Sequence, residues 1–289
     1  MVHVGLSLMF EAGWSQATLP AFEAGEIDAL EYSFDMGWSD AGRPAWADAL
    51  LSHFGDAGRL WGHGVTMSPF SVEPAQREDW LTRARLDCAR WKMRGVSEHV
   101  GFMEAGELDG GAPLPVPYGR GAVTTAVQSL RALADAVGVA VGLENLALAL
   151  SPRDVDDQGP MLTEILDAVD GYLVLDLHNL WCQATNFDTD AHTLLATYPL
   201  ARARCIHVSG GNWSAPGDFG LTRSFRRDTH DHAVPRPVLD LLDDALARCP
   251  GVEVVIVERL GPTLGTPRDQ AELRADVAAV REIVEAARG

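Results

Sequence analysis

Short runs of β-branched and other apolar residues recur along the chain. Each is followed by a polar or Gly-rich stretch and then by a segment with helical spacing. The pattern predicts eight strands: Val2–Met9, Ala29–Asp35, Leu60–Met67, Val96–Met103, Val139–Leu146, Tyr172–Leu180, Ala203–Gly210 and Val252–Leu260. Between them, Val123, Val127, Leu130, Ala134 and Val137 fall on one helical face, and Gly138 stands where a C-terminal cap belongs. Leu273, Val277, Val280 and Val284 do the same near the end of the chain, with Thr266-Pro267 as the start signal. Ala84, Cys88 and Trp91 share a face of a further helix, which makes Cys88 a core residue. Several strands are almost continuously apolar, as in Val252-Glu253-Val254-Val255-Ile256-Val257. Strands of that kind are buried on both faces, in a parallel sheet covered by helices.

Eight strand–helix units predict an α/β fold, a single closed (β/α)8 TIM barrel over residues 1–289. An open doubly wound sheet would carry a Gly-rich phosphate loop after its first strand, and Gly5-Leu6-Ser7-Leu8-Met9-Phe10 is not one. No linker divides the chain. Its longest irregular stretch, Gly210 to Pro235, follows the seventh predicted strand; a connection of that length in a compact domain is either functional or disordered. Its content of Trp, Arg and His favours function.

The active site of such a barrel lies at the C-terminal ends of the strands, so the residues at those ends are informative. They are His63, Glu98-His99, Glu144-Asn145, Asp176 to Asn179, His207 and Glu258, with Asp228, His230, Asp231 and His232 in the long loop. Six of the nine histidines fall in this set. A lone histidine or carboxylate at a strand end is commonly a hydrogen-bonded core residue. This many together would be costly to bury without a cation. Imidazole and carboxylate ligands suit Fe, Mn or Zn. Alternation along a strand places Asp176 and His178 on one side, so both are candidate ligands, and puts Cys205 one layer below His207. Glu98 and His99 cannot both point inward, and His99 is preferred. Asn145, Asn179, Asp231 and His232, like Glu98, stand as extra ligands or as hydrogen-bond partners of ligands. Glu31 and Asp35 are expected to be polar lining.

Net charge is 23 − 41 = −18, and Lys92 is the sole lysine. Nucleic-acid binding rests on neutralising phosphates, so this balance argues against it. Cys88, Cys182, Cys205 and Cys249 include no C-x-x-C pair, which disfavours a disulfide framework or a cysteine zinc site. With no apolar run of about 18 residues and no secretory signal, the expected location is cytoplasmic, away from membranes.

The segments His63-Gly64, Ser97-Glu98-His99, Leu143-Glu144-Asn145, Leu175-Asp176-Leu177-His178-Asn179, Ile206-His207, Asp228-Thr229-His230-Asp231-His232-Ala233-Val234-Pro235 and Val257-Glu258 resemble the multinuclear non-heme iron-dependent oxidative enzymes, the family that includes the methanobactin-biosynthesis oxidase. The resemblance implies a xylose-isomerase-like TIM barrel holding two or three iron ions in a mixed ferrous/ferric state. It also implies use of O2 to oxidise a side chain, often cysteine, of a ribosomally made precursor peptide, commonly presented by a peptide-recognition partner protein. The ligands it implies are His63, His99, Glu144, Asp176, His207, Asp228, His230 and Glu258. Many members carry Asn at the position of His178. In the long loop, Trp213, Phe219, Phe225, Arg223, Arg226 and Arg227 are expected to contact the peptide by stacking and by pairing with acidic groups. Two other readings fit the same residue types: a zinc or other divalent-metal barrel acting as a sugar isomerase or an endonuclease-IV-like phosphodiesterase, and a non-catalytic binding scaffold.

Overall fold

The computed structural model describes residues 1–38, 42–71, 74–105, 108–218 and 222–287. Phe219, expected to face the peptide, lies outside the described residues. The elements run β1 (His3–Ser7), α1 (Ala12–Glu23), β2 (Ala29–Tyr32), α2 (Ala45–Asp56), β3 (Leu60–His63), α3 (Pro74–Trp91) and β4 (Gly95–His99). There follow β5 (Phe102–Ala105), β6 (Leu108–Leu114), α4 (Arg120–Val137), β7 (Ala140–Glu144), α5 (Pro152–Val169) and β8 (Tyr172–Asp176). The last are α6 (Leu177–Phe187), α7 (Ala191–Leu195), β9 (Ala203–Val208), α8 (Arg236–Arg248), β10 (Val254–Val257) and α9 (Pro267–Ala286). Strands β1, β2, β3, β4, β7, β8, β9 and β10 close into a barrel in that order, every neighbouring pair parallel.

Each barrel strand sits on its expected place but is shorter than the apolar run suggests. The runs continue into the loops that carry the site, where side chains rather than ladder bonds order the backbone. The clearest correction is at Tyr172–Leu180. The strand stops at Asp176, whose side chain accepts the Asn179 N–H and caps α6. Asp176 and His178 therefore do not share one side of a strand. A second difference is the antiparallel hairpin β5–β6, inserted between β4 and α4. The helix signals hold: Gly138 adopts a left-handed φ of 70°, and Thr266 and Asp269 form a reciprocal capping box. Ala84, Cys88 and Trp91 are buried together in the core.

The barrel interior is built in layers. Ala29, Trp61, Tyr172, Val174, Cys205, Val254 and Ile256 form an apolar cluster. Two residues further along the same strands, and so on the same face, stand Glu31, His63, Asp176, His207 and Glu258. His99 and Glu144 occupy the same position above Ser97 and Gly142. Gly142 has to lack a side chain, because a Cβ there would lie 2.5 Å from the ring of Tyr172. The polar layer thus rests on a rigid apolar floor.

Candidate metal centre

Three of the four candidate ligand groups among the described residues lie side by side at the top of the barrel. His63, His99 and Glu144 form one; Glu144, Asp176 and His207 the next; Asp176, His230 and Glu258 the third, the ligand atoms of each lying within 4.8 Å of one another. Glu144 and Asp176 are each shared by two groups. The arrangement matches a row of up to three cations joined by two carboxylates.

Each ligand is aimed by a neighbour. The Ser97 hydroxyl donates to Gly62 O, so at 2.8 Å it accepts from His63 Nδ1, and Nε2 is the His63 nitrogen that faces Glu144 Oε2, 3.0 Å away. His207 Nε2 donates to Glu31 Oε2 at 2.9 Å, which turns Nδ1 toward Glu144 and Glu258 at 3.6 and 3.5 Å. A carboxylate behind a ligating imidazole fixes its tautomer and raises its basicity. Glu31, read from sequence as lining, meets His207 and with His207 and Cys205 makes the fourth candidate ligand group; the available signal was its position in phase with Ala29 on an inward-facing strand. Glu98 points away from the centre, its oxygens accepting from the backbone N–H groups of Met67 and His99. Asn145 binds the Asp176 backbone reciprocally, donating to its carbonyl and accepting from its N–H.

At the far end, His230 Nε2 stands 2.9 Å from Asp228 Oδ2. Asp228 Oδ1 accepts from the Ser209 hydroxyl and from His178 Nδ1, the latter at 2.8 Å. His178 lies in the first turn of α6 with both ring nitrogens engaged, since Nε2 faces the Arg226 guanidinium at 3.5 Å and the Cys182 thiol at 3.7 Å. Asp228 and His178 lie outside these three groups; Asp228 stands against the same His230 nitrogen that faces Glu258 at 3.7 Å, and His178 meets Asp228 from behind. Asp231 accepts from Thr229, Asn212 and the exposed His232, so these two hold the loop rather than the centre.

The orphaned atoms show whether the residues suit a metal. Glu144 Oε2, Asp176 Oδ2, His207 Nδ1 and Glu258 Oε2 are all buried and have no hydrogen-bond partner. Unmatched polar atoms at this depth are costly, and four of them converge where three groups share ligands. Charge tells the same story. Burial raises Glu144, but the imidazoles of His99, His207 and His63 overcome it and hold the carboxyl at about 2. Burial lowers His99, yet Glu144 and Glu98 lift it to about 9. Burial and the carboxylates of Asp228, Glu144 and Glu258 push Asp176 well above the carboxylate range. Protons thus stand in for missing positive charge. A cation would displace them, so metal uptake strengthens as pH rises.

The long loop leaves β9 through Gly210 and Gly211. A Cβ on Gly211 would sit 2.9 Å from His178 Cε1 and 2.9 Å from Thr229 N, so only glycine lets the loop's two ends pass. The loop folds back on itself, with Trp213 bridged to Arg226, Arg227 N–H donating to Asn212 O, and Ser214 N–H to Phe225 O. Trp213 is 51% exposed. Arg227 donates to Asn212 Oδ1. Arg223 donates to the carbonyl of Asn186. Arg226, expected from sequence to reach the peptide, is turned inward: it is buried, with its guanidinium 4.8 Å from the Trp181 ring centroid and 5.9 Å from that of Trp213.

Fold and site together define a (β/α)8 barrel with adjoining candidate metal-ligand groups at the C-terminal ends of its strands. A family profile for the RiPP precursor modification enzymes MbnB/TglH/ChrH matches residues 35–285, and the chain belongs to that family, whose members modify ribosomally synthesised precursor peptides. The chain is 30% identical over 223 residues to a UPF0276 protein of Rhizorhabdus wittichii, covering 75% of each. It is 27% identical over 213 residues to a UPF0276 protein of Acinetobacter baylyi, covering 73% of this chain and 70% of the relative. With a Streptomyces avermitilis UPF0276 protein it shares 30% over 246 residues, 79% of this chain but 47% of the relative. Similar solved structures include L-ribulose 3-epimerase (TM-score 0.62, 14% identity, 100% of this chain and 96% of that one). A xylose isomerase domain protein from Planctomyces limnophilus is another (0.59, 14%, 99% and 97%), as is endonuclease IV from Thermus thermophilus (0.58, 16%, 97% and 99%). At these identities the likeness shows the xylose-isomerase-like TIM fold alone. No helix among the described residues is long and apolar enough to cross a membrane.

Proposed function

We propose that the chain, one barrel domain over residues 1–289, is a cytoplasmic O2-dependent iron enzyme that oxidises a side chain, most simply a cysteine thiol, of a precursor peptide. The observation that carries this reading is the row of three ligand groups sharing Glu144 and Asp176. His63, His99, Glu144, Asp176, His207, His230 and Glu258 would hold two or three iron ions, mixed ferrous and ferric, with Asp228 completing the far end. Iron bound there supplies one-electron redox chemistry and positions for O2 and thiolate. The protein's own part is to fix ligand tautomers through Ser97 and Glu31, to keep the centre dry, and to offer a landing surface. Trp213 and Arg227 hold the peptide over the mouth; Arg226 supports that surface from beneath. A peptide-recognition partner protein would deliver the substrate. The acidic balance fits neither DNA nor RNA.

The zinc phosphodiesterase and isomerase readings share only the fold with this chain, whereas the family match favours a peptide substrate. The decisive assay supplies anaerobically purified, iron-loaded protein with a Cys-containing precursor peptide and air. O2 uptake matched by a mass change on the peptide is the expected result. Full activity with zinc, or no O2 dependence, would overturn the proposal.

A further inference from the structure

Both shared carboxylates meet one residue. The Asn179 backbone N–H donates to Asp176 Oδ1 at 2.6 Å. Its side-chain amide donates to Glu144 Oε1 at 3.1 Å and to Asn145 O at 2.9 Å. These bonds leave Asp176 Oδ2 and Glu144 Oε2 as the free oxygens, and both are buried without a partner. The orientation of the amide is fixed by chemistry: turned over, its oxygen would face two acceptors, Glu144 Oε1 and Asn145 O. Asn179 is 3% exposed, so water does not substitute for it.

We infer that Asn179 is a positioning residue that sets which oxygens of Glu144 and Asp176 face the metals, through its side-chain amide for Glu144 and its backbone N–H for Asp176, and that its side chain thereby shapes the two positions that share Glu144. This rests on the metal reading above and adds to it a cause for the two-carboxylate sharing. Substitution removes only the side-chain amide, since the bond to Asp176 comes from the backbone, so it weakens the two positions that share Glu144 and spares the one made by Asp176, His230 and Glu258. Asn179→Asp is the harsher change, because it replaces the donor by a carboxylate facing Glu144 Oε1. Asn179→Ser, with a shorter donor, should fall between wild type and Asn179→Ala.

Gln183 supplies the control. It lies one turn further along α6, is buried, and donates to Leu146 O without touching a carboxylate. Gln183→Leu should cost stability as Asn179→Ala does and spare the metals.

The experiment loads each protein with ferrous iron under anaerobic conditions, then measures iron per chain, melting temperature and iron positions by anomalous diffraction. Each of the two positions that share Glu144 should weaken roughly 10–100-fold in Asn179→Ala, the size seen when a ligand's hydrogen-bond partner is removed. Both should remain full in Gln183→Leu. Equal occupancy of those two positions in wild type, Asn179→Ala and Asn179→Ser overturns the inference and leaves the iron reading standing. Equal loss in Gln183→Leu also overturns it, since the effect would then be general loosening of α6. Wild-type protein that takes up no iron overturns both.

Discussion

Glu144→Gln will empty two adjacent metal positions while the barrel stays folded. Glu144 is the ligand common to the His63–His99 group and the Asp176–His207 group. Its Oε1 accepts from Asn179, and its Oε2 faces His63, His99 and His207 at 3.0, 3.6 and 3.6 Å. Both oxygens are therefore required as acceptors. A glutamine has one acceptor oxygen and an NH2 group, so either orientation sets donors against donors or aims hydrogens at the metals. It also removes a charge from a buried site where charge balance is the main energetic term. The effect on iron affinity should exceed the roughly 100-fold ceiling seen for ligand-supporting residues. The fold should survive, because the β7 ladder to β4 and β8 is made by backbone and the apolar floor is untouched. Iron content and the melting curve of the apo-protein check the two halves of the claim. Unchanged iron would refute the bridging role.

The second large effect is a division within the loop after β9. His230→Ala should remove the metal shared with Asp176 and Glu258, because imidazole is one of that group's three ligands. Asp228→Asn should weaken the same position, since it holds His230 Nε2 at 2.9 Å. Trp213→Ala together with Arg227→Ala should instead leave iron in place and weaken peptide binding at least tenfold. An exposed tryptophan with an adjacent arginine is the composition of a binding hot spot. Arg226 makes a poorer probe of substrate binding than its sequence position suggests: it contacts His178, and through it Asp228, so its loss reaches the centre. Titration of a precursor peptide against iron-loaded variants separates these effects. Normal peptide affinity in the Trp213/Arg227 variant would leave the loop with its ligand-holding role alone.

The barrel was legible in the sequence because eight apolar runs, each followed by a helical stretch, admit few other closed arrangements. Most of the centre was legible for a related reason. Once inward-facing positions are known, those two residues above Ala29, Trp61, Val174, Cys205 and Ile256 are known as well. What periodicity could not show was where a strand yields to a helix. Leu175 to Leu180 reads equally as strand or as the start of α6, and the choice turns on Asp176 capping the helix with its side chain. That one capping bond takes His178 off the strand and sets its Nδ1 2.8 Å from Asp228. The direction of Arg226 was hidden for a different reason. It depends on Asn186, which binds the Arg226 backbone on both sides from 40 residues away. The hairpin β5–β6 escaped because β5 is short, β6 is interrupted by Gly110-Gly111, and the pair lies directly after a barrel strand.

The central claim is a row of iron ions joined by Glu144 and Asp176. Diffraction from anaerobically purified crystals, collected on both sides of the iron absorption edge, tests it most directly. The account predicts two or three iron peaks in line, with Glu144 touching the first pair and His230 and Glu258 at the far end. A single peak, or peaks that persist only at the zinc edge, would contradict it.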